Sequence, residues 1–171
     1  MNIRSAMTYG PRKKKPAFSL TRKDEALEAL VRETDHTTLA IWAIDCAGRV
    51  LHYFEEKYPD DPRPRVALNV CREWTTTGVF SMAVIRGASL ASHAAARDVG
   101  EDNAARSAAR AAGQAVATAH VCTHAMGAAK YAQQAIWRAS EPGEAEAAVA
   151  RECDWQERHL IELKNQSGSQ N

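Results

Sequence analysis

Apolar residues recur along this chain at intervals of three and four rather than two, the pattern of helices that pack by one face. Ala26, Leu27, Leu30 and Val31 follow Thr21, a good N-cap, with Asp24 and Glu25 in the first turn, and predict a short helix over about residues 22–33. Asp35 offers the next cap. Leu39, Trp42, Ala43, Cys46, Val50, Tyr53 and Phe54 then form one stripe, which predicts a second helix over about 37–57. The stripe stops at Tyr58-Pro59-Asp60-Asp61-Pro62-Arg63-Pro64, where the prolines forbid continuation and Asp61 before Pro62 reads as a cap and first turn. A third helix follows from about Arg63 to Thr76, with Val66, Ala67, Val70, Cys71 and Trp74 inward. Thr75-Thr76-Thr77-Gly78 closes it, because β-branched threonines weaken a helix and glycine supplies a left-handed exit.

Ser81 caps a fourth predicted helix to about Val99, and Gly100-Glu101-Asp102 reads as a turn with Asp102 as the next cap. From Ala91 to Ala139 about two residues in five are alanine, with Gly113 and Gly127 as interior weak points. One uninterrupted helix of some 37 residues from the Asp102 cap would reach about 55 Å and overhang a small domain. A break is therefore expected near Thr118, where the threonine caps a second segment. Pro142, in a first turn after Ser140 and Glu141, opens a last helix to about Leu163 with Val149, Cys153, Leu160 and Ile161 as its apolar contacts.

The pattern thus predicts an all-α single-domain bundle of about six to seven helices over residues 18–164. Residues 1–17, with Pro11, Pro16 and the run Arg12-Lys13-Lys14-Lys15, read as a flexible basic arm, and the polar stretch 165–171 as a disordered tail. Alanine-rich helices must approach closely to bury area, and Trp42, Phe54, Trp74, Trp137 and Trp155 have to fill the space that remains.

Charge narrows the partners. Lysines and arginines number 22 against 21 aspartates and glutamates, so nothing draws the whole molecule to nucleic acid or anionic membrane, and electrostatic recognition has to be local. No run approaches the roughly 18 to 20 apolar residues of a membrane span, and no secretory-type apolar stretch follows the N-terminal charges. The expected location is the cytoplasm. Cys46, Cys71, Cys122 and Cys153 lie far apart within helical patterns, without a CxxC pair, and read as buried small hydrophobes in a reducing compartment.

Few residues look chemical. His120 and His124, at i and i+4 on the alanine-rich segment, would share a helix face and could ligate a metal with His93 or Asp45, but the glutamate of a zincin pattern is replaced by Val121. Asp45 and Arg49 form an i, i+4 pair, and Arg97, Arg106 and Arg110 lie among alanines short of acidic neighbours. Asp45 and Glu55 are their expected partners, in a polar network if buried and an anion site if open. Cys46 and Cys122 lack an activating base, and there is no phosphate loop, nucleophile elbow or paired catalytic carboxylate.

Several ordered segments resemble a known family. Leu39-Ala40-Ile41-Trp42-Ala43-Ile44-Asp45-Cys46-Ala47-Gly48-Arg49-Val50-Leu51, Asp60-Asp61-Pro62-Arg63-Pro64-Arg65 and His93-Ala94-Ala95-Ala96-Arg97 are three of them. Ala108-Ala109-Arg110-Ala111-Ala112-Gly113, Ala117-Thr118-Ala119-His120-Val121 and His124-Ala125-Met126-Gly127-Ala128-Ala129 complete the set. Together they are similar to bacterial immunity proteins of polymorphic toxin systems, the Imm-five-like family, over most of residues 18–140. The resemblance implies an antitoxin that sequesters a cognate protein toxin and implies no catalytic residue; no metal or cofactor is expected.

The turn of Tyr58, Asp60, Asp61, Arg63 and Arg65 is a candidate contact surface, since a proline-stiffened loop loses little entropy on binding. The competing reading is a metal- or anion-dependent hydrolase built on His93, His120, His124 and Asp45. A homo-oligomerisation module is a third.

Overall fold

A computed structural model describes residues 15–21 and 23–169, and the basic run at 12–14 lies outside them. Among the described residues there are eight helices and no strand: α1 (Glu25–Arg32), α2 (His36–Val50), α3 (His52–Glu55), α4 (Arg63–Thr77), α5 (Met82–Asp98), α6 (Ala104–Ala117), α7 (His124–Ala139) and α8 (Ala145–Gly168). The all-α expectation holds, with one helix more than the upper end of the predicted count. The extra one arises at Leu51, where the 37–57 stripe breaks into α2 and α3; Leu51 and Phe54 stay buried on either side of the break.

Most helix starts follow from side chains that satisfy the free amides of the first turn. Asp24, rather than Thr21, caps α1 by accepting from the Leu27 amide, and Asp35 caps α2 through the Thr38 amide. Asp61 accepts from the Arg63 amide at 3.1 Å ahead of α4, and Ser81 caps α5. Asn103, one residue past the expected Asp102, caps α6. Gly78 closes α4 at a φ of 69°, a conformation that costs a side-chain-bearing residue more than glycine.

The break in the alanine-rich segment falls where it was expected, but Thr118 closes α6 instead of opening α7. Its hydroxyl donates to the Gln114 carbonyl of α6 and its own carbonyl meets the His36 ring of α2, so its side chain caps nothing in α7. Pro142 lies in the turn before α8, not in its first turn. That helix continues to Gly168, four residues into the stretch expected to be disordered.

Helix α6 is the central element, packed by α2, α3, α4, α5 and α7. Nine of its 14 residues are buried, seven of them alanine or glycine, and this lack of bulk lets five neighbours close on one helix. Ser92 and Ser89 of α5 donate to the Ala109 and Gly113 carbonyls, and Ser107 to Gln134 of α7, so α6 runs antiparallel to both. Trp42, Phe54, Leu39, Leu51 and Leu68 fill the volume the alanines leave. At the far end Trp137 packs with Ala145, Val149 and Phe18 and donates to the Pro16 carbonyl, while Lys15 donates to the carbonyls of Trp137 and Ser140. Residues 15–18, expected at the edge of a free arm, are docked there.

Candidate functional site

The histidines do not share a helix. His120 is exposed in the turn between α6 and α7, and His124 is the first residue of α7, so the i, i+4 geometry assumed for them is absent because the helix ends at Ala117. They nonetheless meet His93 of α5 around one cavity of about 350 Å³, whose walls also include Met82, Ile85, Leu90 and Gln114.

Two helix glycines seat side chains that line this cavity. A Cβ on Gly113 would stand 2.8 to 3.0 Å from the His93 ring atoms, and one on Gly127 would stand 2.7 Å from Oε1 of Gln114. Glycine at these positions lets the imidazole and the amide lie against helix backbone; an added methyl would push on the ring at Gly113 and displace the flexible Gln114 amide at Gly127. Gln114 Oε1 in turn meets His124 Nδ1 at 2.7 Å and fixes that ring. His93 Nδ1 is buried without a hydrogen-bond partner, an uncommon arrangement with a real free-energy cost. Burial first, then the charges of Arg110, Arg97 and His124, depress its pKa to about 4, so the ring is neutral at physiological pH.

Asp45 does not join this cavity. It sits on α2 and meets His159 of α8 at 2.7 Å, not any of the arginines proposed for it. Arg49 pairs with Glu152 of α8 at 2.9 Å and lies over the Trp155 ring, 3.9 Å from its centroid. Trp155 stacks on His159, so one ladder of rings and charges ties α2 to α8. Beneath it Glu152 and Gln156, both buried, connect to Gln133 of α7, and the Trp42 indole donates to the Gln156 carbonyl at 2.8 Å. Burial raises the Glu152 pKa although Arg49 opposes it. Last-helix residues carry this network; no spacing within α2 pointed to them, since their partners lie more than a hundred positions away.

The proline turn is internally paired. Arg63 bonds both Asp61 and Asp98, at 2.6 and 2.7 Å, and Arg65 bonds Glu55 at 2.7 Å. Tyr58 packs on Phe54 and the core, which leaves Asp60 exposed at the bend. Arg106 meets Asp102, Arg110 borders a second cavity, and Arg97 is exposed at the end of α5. Among the described residues no group of three or more histidine, cysteine, aspartate or glutamate side chains is placed to hold a metal ion.

What sequence reading missed is an apolar surface. Val79, Phe80, Met82, Val84 and Leu90, on the α4–α5 turn and the outer face of α5, are exposed, Val79 at 75%. They run from a shallow groove beside Trp74 to the histidine cavity, and Ile85 forms part of both walls. Contiguous exposed side chains of this kind mark interaction surfaces. Val79 and Phe80 lie outside the helical stripes, and Val84 and Leu90 fall in the fourth predicted helix, to which the sequence pattern assigned no buried face.

Fold and cavity define the class: an alanine-packed all-α domain with a cleft rimmed by exposed apolar residues. The chain belongs to the family described as Imm-5 like putative immunity protein, whose model matches residues 29–163. The match takes in most of α8, beyond the reach of the segments first noted. No curated protein and no solved structure matches the chain.

Proposed function

We propose that this protein is an immunity protein that neutralises a cognate bacterial toxin by binding it, without catalysis, in the cytoplasm of the cell that makes both. The observation that carries this reading is the family match across residues 29–163. Among the described residues no helix is long and apolar enough to cross a membrane. The apolar face of α5 and the α4–α5 turn is the docking surface we favour, because large apolar side chains gain free energy when a partner covers them. The Tyr58–Arg65 turn is the lesser candidate, since its arginines are already satisfied within the chain.

The test is co-expression with candidate toxins from the native host. Growth rescue together with a stable complex on size exclusion is the expected result. Rescue without a complex, or with a chemically altered toxin, would show a catalytic mechanism instead.

A further inference from the structure

The second cavity, of about 310 Å³, lies between α6 and α7 and is bordered by Leu20, Asp102, Arg106, Arg110, Tyr131 and Arg138. Its charge is unbalanced: three guanidiniums face a single carboxylate, so 3 − 1 leaves two positive charges. Asp102 is a weak counterion, 73% exposed, with one oxygen serving both Arg106 at 3.2 Å and Arg138 at 3.3 Å. Those distances exceed the roughly 2.7 to 2.9 Å of a strong charge-assisted bond. Arg110 makes no hydrogen bond or ion pair among the described residues.

The cluster is also held in place rather than free in solvent. Arg138 is half-buried and donates to Ser107 Oγ at 2.9 Å, which orients it toward the first turn of α6. Arg106 and Arg110, one helical turn apart, project from the same face of α6. Desolvation of Arg138 favours its neutral form, opposed by Asp102, and an anion in the cavity would relieve that cost. Beyond Asp102, α6 and α7 supply no further carboxylate: positions 103–140 contain no aspartate or glutamate.

We propose that this cavity binds a phosphate dianion, as the free ion or as the phosphate of a small monoester. Two net positive charges match a dianion, planar guanidinium forks suit phosphate oxygens, and Leu20 and Tyr131 offer a wall for an organic group. The volume is at the lower end of small-ligand pockets, roughly 300 Å³ and upward. The site is separate from the α5 face and does not depend on toxin binding.

Isothermal titration of the full chain with inorganic phosphate and with phenyl phosphate, at ionic strength held constant with sodium chloride, tests it. Saturable binding of either supports the proposal: equal affinities assign the free ion, and tighter phenyl phosphate binding assigns a phosphorylated small molecule. Arg110→Gln, which breaks no internal bond, should keep its melting temperature and weaken binding about tenfold or more. Asp102→Asn removes the competing carboxylate and should tighten binding, by up to about fivefold. Absence of saturable heat with both probes, unchanged affinity in Arg110→Gln, or weaker binding in Asp102→Asn would each overturn the assignment.

Discussion

Trp42 shows how much one residue carries in a core built from alanine. Its ring is fully buried and its indole nitrogen holds the Gln156 carbonyl, so Trp42→Ala leaves both a void and an unpaired acceptor. A loss of about 3 to 5 kcal/mol is expected in denaturant unfolding, because small neighbours cannot swing in to fill the space. Among the charges, Glu152 rather than Asp45 holds the costly position: Glu152 is 2% exposed, whereas the Asp45 side chain is 38% exposed. Glu152→Ala strands Gln156 and Arg49 and should cost about 2 to 3 kcal/mol, while Asp45→Ala should cost about 1 kcal/mol or less. Equal losses in the two variants would contradict this ranking.

His93 makes stability depend on pH. The unfolded ring takes up its proton near 6.5 and the folded ring only near 4, so the folded state is penalised progressively as pH falls through that window and not above it. Solvent screening of the incompletely buried ring holds the effect to about 1 to 2 kcal/mol, and His93→Gln should flatten the difference between unfolding curves at the two ends of the window.

At the scale of elements, the glycines of α6 and α7 invert the usual expectation. Alanine should improve a helix interior by about 1 kcal/mol over glycine. At Gly113 the added methyl meets the His93 ring, which is held between helices, so Gly113→Ala should destabilise by about 1 to 2 kcal/mol net. At Gly127 the clash is with the end of a flexible glutamine, and Gly127→Ala should be nearly neutral in stability while freeing the His124 ring. Thermal unfolding of the pair, with the His124 resonances followed by NMR, checks both. Helix α8 outlasts its predicted end against the end of α1, where the Lys164 and Glu33 side chains meet at 3.3 Å and Leu163 packs on the core.

For the molecule as a whole, accessibility sorts the cysteines. Cys46 and Cys71 are buried, with burial raising the Cys71 thiol to about 12 and Cys46 well above its ordinary value. Cys122 is exposed in the α6–α7 turn, contrary to the expectation that all four are buried, because the helix ends before it. A thiol reagent should label Cys122 in seconds to minutes and Cys46 and Cys71 only on unfolding, as mass spectrometry would show. For the proposed toxin surface, Phe80→Asp and Leu90→Asp replace exposed apolar groups and should leave stability within about 0.5 kcal/mol of wild type. Each should abolish protection in the co-expression assay; retained protection would move the docking surface elsewhere.

Most helices and several of their ends were legible in the sequence because both are set locally. Apolar spacing chooses the buried face, while Asp35, Ser81 and Gly78 act on backbone groups a few residues away. The alanine content likewise foretold close packing, and the need to fit the chain into one small domain located the α6–α7 break. Which side chains meet was a different matter. His93 reaches His120 and His124 only because α5 and α7 flank α6, and Asp45 found His159 rather than an arginine, and Arg49 found Glu152 rather than Asp45 or Glu55, because α8 lies on α2. Such pairings depend on the order in which helices stack, to which residues more than a hundred positions apart contribute jointly, and no local periodicity encodes that order.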